Sequence, residues 1–273
     1  MNIEDIDFND VWKDTLGWNV GNPNDRKFND EMEQAFWVKL APQYAALYNL
    51  NDDTPEIAEK LKVLLGEGKS ILEIGPGSGN FTMKMAVYSK EILGVDFSPA
   101  MLLELQKRAE DEGFSNIKTV ASKWEDFSTE ERFDAIVSVN SLYRIKDIEA
   151  ALLKMCLYGK KIILIRTIQR TPLYSILHTC GLPCKECMDY RIIPEIFWKH
   201  GILANVEFLT YPVRRDYASW EEIEHSLILE LGKDSYLQNK EALRKALEAA
   251  VLSENDKITL GVSRTTVFIT AGL

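Results

Sequence analysis

The chain has 273 residues, 46% of them hydrophobic, with a formal net charge of -10 at pH 7 and an isoelectric point near 5.0. A chain of this size buries one large core, or a core with a small appendage, and its acidic balance leaves no basic face for phosphates, so nucleic acid is not an expected partner. No apolar run is long enough to span a bilayer, and Met1-Asn2-Ile3-Glu4-Asp5 lacks the basic start of a secretion signal, so the chain reads as cytoplasmic with no membrane partner.

The stretch up to about Leu65 interleaves Trp12, Trp18, Phe36, Trp37, Tyr44 and Tyr48 with polar residues. Aromatics so placed either dock a helix on a sheet or cover a pocket. Next comes a strand, Ser70 to Ile74, running into the glycine-built turn Gly75-Pro76-Gly77-Ser78-Gly79-Asn80 and then a helix. Glycines at alternate positions keep Cβ atoms away from a ligand, and the helix start presents N–H groups to polar ligand atoms. A second buried strand, Ile92 to Val95, ends in Asp96, about 20 residues on, where an α/β nucleotide fold sets a carboxylate against ribose hydroxyls. Ser98 is placed to cap the following helix and Pro99 to open it.

Further apolar runs predict strands at Ile117 to Ala121, Ala135 to Val139 and Lys161 to Arg166, as expected of strands buried on both faces. The helices between them, Pro99 to Glu112 and Ile148 to Tyr158, close at Gly113 and Gly159, each expected in a left-handed conformation. Beyond lie strands at Asn205 to Val213 and Thr265 to Thr270 and helices at Trp220 to Leu231 and Lys240 to Leu252, with Ser219 and Glu222 forming a capping box. Alternating strands and helices of this kind make a doubly wound α/β sheet, mostly parallel, with helices on both faces.

Glu73-x-Gly75-x-Gly77-x-Gly79 together with Asp96 resembles motif I and the second acidic landmark of the class I S-adenosylmethionine-dependent methyltransferases. The resemblance implies a seven-stranded sheet in the order 3-2-1-4-5-7-6, with one antiparallel strand near the edge. It implies an N-terminal helical cover over 1–60, a methyltransferase domain over 61–273, and a substrate-side insertion at about 168–204. It places Glu73 near the cofactor's ammonium end, Asp96 on the ribose and Phe97 beside the adenine. The cofactor set it implies also includes Gly75, Pro76, Gly77, Gly79, Asn80, Ser98, Met101, Lys123, Trp124, Glu125 and Asn140. Ser122 occupies the slot of an adenine-binding acid, so Trp124 stacking is the expected substitute. Substrate contacts are expected from Phe36, Trp37, Tyr44, Tyr143 and Arg144.

The function so implied is in-line methyl transfer to a small-molecule acceptor, its accepting atom and the oligomeric state left open. The Asn140-Ser141-Leu142-Tyr143-Arg144 stretch lacks the two prolines of nucleic-acid amino-methyltransferases. A base, where the acceptor needs one, could be His178, His200, His225, Tyr143 or Tyr190, and no catalytic residue is assigned. Two other readings stand beside this one. A nicotinamide-dependent oxidoreductase would want glycine where Asn80 stands. A cofactor-binding protein could instead use Cys180, Cys184 and Cys187, with or without His178, to hold a metal ion or iron–sulfur cluster. Cys156 is expected in the core.

Overall fold

The structure, a computed structural model, describes residues 6–16, 26, 29–50, 55–169, 171–184 and 188–272, except the side chains of 43–50 and 254. In chain order the elements are α1 (Phe8–Leu16), α2 (Asp30–Leu50), α3 (Pro55–Leu65), β1 (Ser70–Ile74), α4 (Thr82–Ala86), β2 (Glu91–Asp96), α5 (Pro99–Asp111), β3 (Ile117–Ala121) and β4 (Ala135–Val139). They continue with α6 (Ile148–Tyr158), β5 (Lys161–Thr167), α7 (Tyr174–Thr179), α8 (Ile192–Lys199), β6 (Ala204–Tyr217), α9 (Trp220–Leu231), α10 (Lys233–Ala250), β7 (Val251–Glu254) and β8 (Ile258–Gly272). Among the described residues, no helix is long and apolar enough to cross a membrane.

The strands hydrogen-bond in the order β3-β2-β1-β4-β5-β8-β6, with β7 paired to β8. β1 pairs in parallel with β2 and β4, β2 with β3, and β4 with β5, while β7 and β8 are antiparallel. The path matches the expected order once β8 takes the seventh place, but the sheet has eight strands instead of seven. The extra one is β7, where the helical reading of Val251 and Leu252 is corrected: the helix runs earlier, from Lys233 to Ala250, Val251 pairs with Leu260 of β8, and Leu252 sits at the register shift between Val251 and Ser253. Local helical periodicity yields there to hairpin hydrogen bonds.

The chain divides into two compact units. The first comprises Met1–Arg166, Met188–Glu207 and Val267–Leu273, the second Thr167–Cys187 and Phe208–Thr266. In the first, Ile71, Leu72, Ile136, Val137 and the run Ile162 to Ile165 are all but inaccessible, each worth about 1.5–3 kcal/mol by burial. α5 lays Leu102, Leu105 and Ala109 against Met83, with Phe114 and Ile117 closing the cluster. Ser98 caps α5 by accepting from the Met101 N–H at 3.4 Å, and Pro99 is its first residue. α1 is pinned by Trp12, fully buried, whose indole N–H donates to the Ile145 carbonyl at 2.7 Å.

Gly113 ends α5 at φ +76, as expected. Gly159 corrects the other expectation, for it is extended at φ -120 and ψ 150. A Cβ there would meet Ile136 Cγ1 at 2.6 Å, so close packing, not left-handed backbone, calls for glycine. In the second unit, Thr210 and Thr265 share a hydroxyl hydrogen bond of 2.9 Å, and the Gln169 side chain accepts from the Thr265 N–H at 2.6 Å. Asp216 accepts from Lys257 and from Thr259, and Ser219 caps α9 through the Glu222 N–H.

Candidate active site

A strand order that steps outward from β1 to β2 and β3 on one side, and to β4 on the other, leaves a crevice at the carboxyl ends of β1 and β4. A cavity of about 400 Å³ lies in the first unit, lined by residues from the loops after β1, β2, β3 and β4 and from the start of α2. Its β1 wall carries Glu73, fully buried, whose carboxylate accepts from the Thr82 hydroxyl at 2.6 Å. Burial, with a smaller contribution from the Asp96 charge, raises Glu73 to about 7. Asp96, at the end of β2, accepts from the Gly77 N–H at 2.9 Å and the Ser98 N–H at 2.8 Å. Burial raises its carboxyl as well, against the pull of those two bonds.

The glycine loop has φ +71, +57 and +90 at Gly75, Gly77 and Gly79. The sequence reading assigned the missing Cβ atoms to ligand approach, and the structure gives two of them another reason. A Cβ on Gly75 would fall 2.2 Å from Ser141 Cβ, and one on Gly79 would fall 2.4 Å from Leu105 Cδ1. The three glycine amides are also engaged within the chain: Gly75 N–H donates to the Val95 carbonyl, Gly77 to Asp96 and Gly79 to the Pro76 carbonyl. These three amides are therefore closed to a ligand, and the expected open N–H groups are left to the helix start after Asn80. The loop is a glycine-built corner between Glu73 of β1 and Asp96 of β2, and its Gly77 N–H holds the Asp96 carboxylate.

Of the expected cofactor residues, Glu73, Gly75, Pro76, Gly77, Asn80, Asp96, Phe97, Met101, Lys123, Trp124, Glu125 and Asn140 line the cavity, whereas Gly79 and Ser98 do not. Ser98 spends its hydroxyl on the α5 cap. Asn80 accepts from Arg108 at 3.4 Å. Trp124 corrects the stacking expectation. Its indole packs between Phe127 and Tyr158 with its N–H on the Ala151 carbonyl at 3.1 Å, so Trp124 borders the cavity from the core with a ring face already stacked on Phe127. Asn140, at φ +55, is the one non-glycine with positive φ among the described residues, a strained conformation of the sort that collects at functional sites.

Of the expected substrate residues, Trp37, Tyr143 and Arg144 line the cavity. Phe36 lies beside it, edge-on to Trp37 at 5.1 Å, and the side chain of Tyr44 lies outside the described residues. Sequence reasoning missed Arg26, Asp30 and Glu33, which line the same wall. Glu33 is fully buried and accepts from Arg26 at 2.9 Å, Trp37 Nε1 at 2.8 Å and the Tyr143 hydroxyl at 2.5 Å. Asp30 pairs with Lys123 and, at 2.6 Å, with Arg144, and these cations hold its carboxyl below the usual value. Both also stand over Phe97, Arg144 at 4.7 Å and Lys123 at 5.7 Å from the ring centroid. A sequence signal existed for Glu33, because i to i+4 spacing sets it on the Trp37 face of a helix.

Among the expected bases, Tyr143 is corrected. Burial and its bond to Glu33 push its phenol well above the usual value, so it remains a proton donor. His200 bonds Glu149 at 2.6 Å, His178 stacks on Tyr174 in the second unit, and His225 is exposed on α9. Tyr190 is buried beside Arg191, whose Nε donates to its hydroxyl at 3.2 Å. Cys156, expected in the core, is only half-buried, with its thiol on the Leu152 carbonyl at 3.4 Å. Cys184 lies 3.3 Å from the Leu182 carbonyl and burial raises Cys180, while Cys187 lies outside the described residues. Among the described residues, no group of three His, Cys, Asp or Glu side chains is placed to hold a metal ion.

The methyltransferase-domain family matches residues 65–210, more than half of the chain. The chain belongs to that family, the class I S-adenosylmethionine-dependent methyltransferases. It is 30% identical over 95 residues to nodulation protein S of Sinorhizobium fredii, a match covering 34% of this chain and 43% of that protein. A ribosomal RNA small subunit methyltransferase of Arabidopsis thaliana is 50% identical over 46 residues, 17% of this chain and 13% of that protein. The matched stretches thus span less than half of these relatives. The crystal structure of a candidate methyltransferase from Bacillus halodurans shares the fold at TM-score 0.51 and 11% identity, covering 79% of this chain and 97% of that one.

Proposed function

We propose that this chain transfers a methyl group from S-adenosylmethionine to a small-molecule acceptor in the cavity above β1, β2 and β4. The observation that carries the reading is the pair of carboxyl groups, buried Glu73 and half-buried Asp96, in a crevice whose glycine amides are already engaged. Such a donor set fits an ammonium and a diol. It suits a pyrophosphate poorly, which needs open backbone N–H groups, and this weighs against the nicotinamide reading. In this proposal Glu73 takes the ammonium and Asp96 the ribose hydroxyls, each keeping lone pairs beyond its present bonds. Phe97, Met101 and the loop from Ser122 to Glu125 bound the adenine end, and Asn140 and Tyr143 bound the end where the acceptor enters.

When bound, the cofactor supplies a sulfonium methyl activated for in-line displacement. The chain's own residues hold the acceptor about 3 to 3.5 Å from that carbon and exclude water, with no obligatory acid or base. We assign the water-excluding role to the 1–60 segment, whose Asp30, Glu33 and Trp37 line the cavity. The methyltransferase domain is then 61–273, with 168–204 as its substrate-side insertion. The net charge of -10 supports a cytoplasmic enzyme of small metabolites over one acting on RNA. Calorimetry with S-adenosylhomocysteine and NAD tests the cofactor. Transfer of labelled methyl into a metabolite pool, against ribosomal RNA as the competing acceptor, tests the substrate class. Binding of NAD alone, or label only in RNA, overturns the reading.

A further inference from the structure

Arg26 occupies a cage. Its guanidinium carbon lies 3.7 Å from the Phe36 centroid and 5.8 Å from that of Trp37, and its Nη1 donates to Glu33 at 2.9 Å. The two rings meet edge to face at 81°, and Glu33 is fixed from the other side by the Trp37 and Tyr143 donors. Two aromatic faces around a wholly buried carboxylate form a pocket selective for a cation. Without a cation, the carboxylate would keep only two neutral donors to offset its desolvation. Arg26 itself is 40% exposed, so a ligand cation that takes its place on Glu33 returns Arg26 to water while the carboxylate stays paired.

We infer that the cage of Phe36, Trp37, Glu33 and Tyr143 is a binding site for the cationic end of a ligand, an ammonium, amidinium or guanidinium group, in which Arg26 is the resident competitor. Resting on the reading of the cavity as a methyl-transfer site, this makes the acceptor a cationic small molecule and makes Arg26 a plug displaced when it enters. An anionic acceptor on Arg26 is disfavoured because it would sit against Glu33.

The test titrates the full chain with methylguanidinium and with tetramethylammonium, using acetate as the anionic control, followed by indole fluorescence and calorimetry. Trp37→Phe assigns the optical signal. Arg26→Ala removes the competitor and should bind methylguanidinium about tenfold more tightly than the unaltered chain, and adding Glu33→Gln should abolish that binding. Arg26→Gln serves where the alanine variant fails to fold, and the unaltered chain should show a thermal shift at high methylguanidinium. No gain in the Arg26 variants, no shift in the unaltered chain, or acetate binding that disappears with Arg26, overturns the inference. S-adenosylhomocysteine binding, measured in parallel, separates the two claims. Retained cofactor binding without a cation site sinks this inference alone, and a cation site without cofactor binding sinks the methyl-transfer reading and leaves the cage.

Discussion

Two kinds of carboxylate face each other across the cavity. On the strand side, Glu73 is buried and Asp96 half-buried, the two are bonded to one hydroxyl and two backbone N–H groups, and among the described residues they meet no Lys or Arg side chain. On the α2 side, Asp30 and Glu33 are each held by cations, Asp30 by Lys123 and Arg144 and Glu33 by Arg26. Desolvation without a counter-charge raises the first pair, and counter-charge lowers Asp30. The strand side therefore holds a deficit of positive charge that a ligand can fill, whereas the helix side has filled its own and holds the wall in place.

The largest disturbance reaches the strand side through its corner. Gly75→Ala puts a methyl 2.2 Å from Ser141 Cβ at a φ of +71, so urea unfolding should show a loss of about 4 kcal/mol or more, overlap added to backbone strain. Adding Ser141→Gly should relieve the overlap and leave about 1–2 kcal/mol of strain. If Gly75→Ala proves neutral, the corner is soft and gives no fixed positions to Glu73 and Asp96.

Next comes the pH dependence of the strand side without ligand. Folded Glu73 keeps its proton to about pH 7, whereas its ordinary value is 4.5. Between those values the folded state binds more protons than the unfolded chain, so stability falls as pH rises through that window, by about 3 kcal/mol. Asp96 shifts in the same direction and adds to the slope. Urea midpoints of the unaltered chain and Glu73→Gln, compared from pH 4.5 to 8, isolate the effect. The glutamine variant should lose this part of the slope and be the more stable of the two at pH 8. Equal slopes would mean that Glu73 is ionised in the fold.

The same substitution measures the ligand side of the deficit. Glu73→Gln should weaken S-adenosylhomocysteine by about 1.5–3 kcal/mol, the range for a hydrogen bond to a charged group, read by calorimetry at pH 8. An unchanged affinity would move the ammonium elsewhere in the cavity.

The strand side was open to reading from sequence because its chemistry is local. Ser70 to Ile74, Ile117 to Ala121 and Ala135 to Val139 are strands over the expected spans, and the corner follows directly from β1. The α2 side was hidden because its partners are remote in sequence: Asp30 meets Lys123 and Arg144, and Glu33 meets Tyr143. No local pattern couples residues about a hundred positions apart. Trp124 misled for a related reason, since its place in the cofactor loop was legible but the rotamer that buries it against Phe127 and Tyr158 was not. β7 was lost where Val251 and Leu252, read as the end of a helix, fall in a strand with a hairpin partner.

The smallest effect tests the helix side. Asp30 is half exposed and bridges Lys123 and Arg144, so Asp30→Asn should cost no more than about 1 kcal/mol of stability, less still in high salt. Its signature is kinetic. With the bridge gone, Lys123 and Arg144 no longer tie the start of α2 to the loops after β3 and β4, and cofactor exchange should speed up by more than equilibrium affinity changes. Stopped-flow release of S-adenosylhomocysteine, compared with its calorimetric affinity, reads the two together. An off-rate that does not change, at low salt as well as high, would mean that Asp30 only decorates the cavity wall, and the division between waiting and satisfied carboxylates would then rest on Glu33 alone.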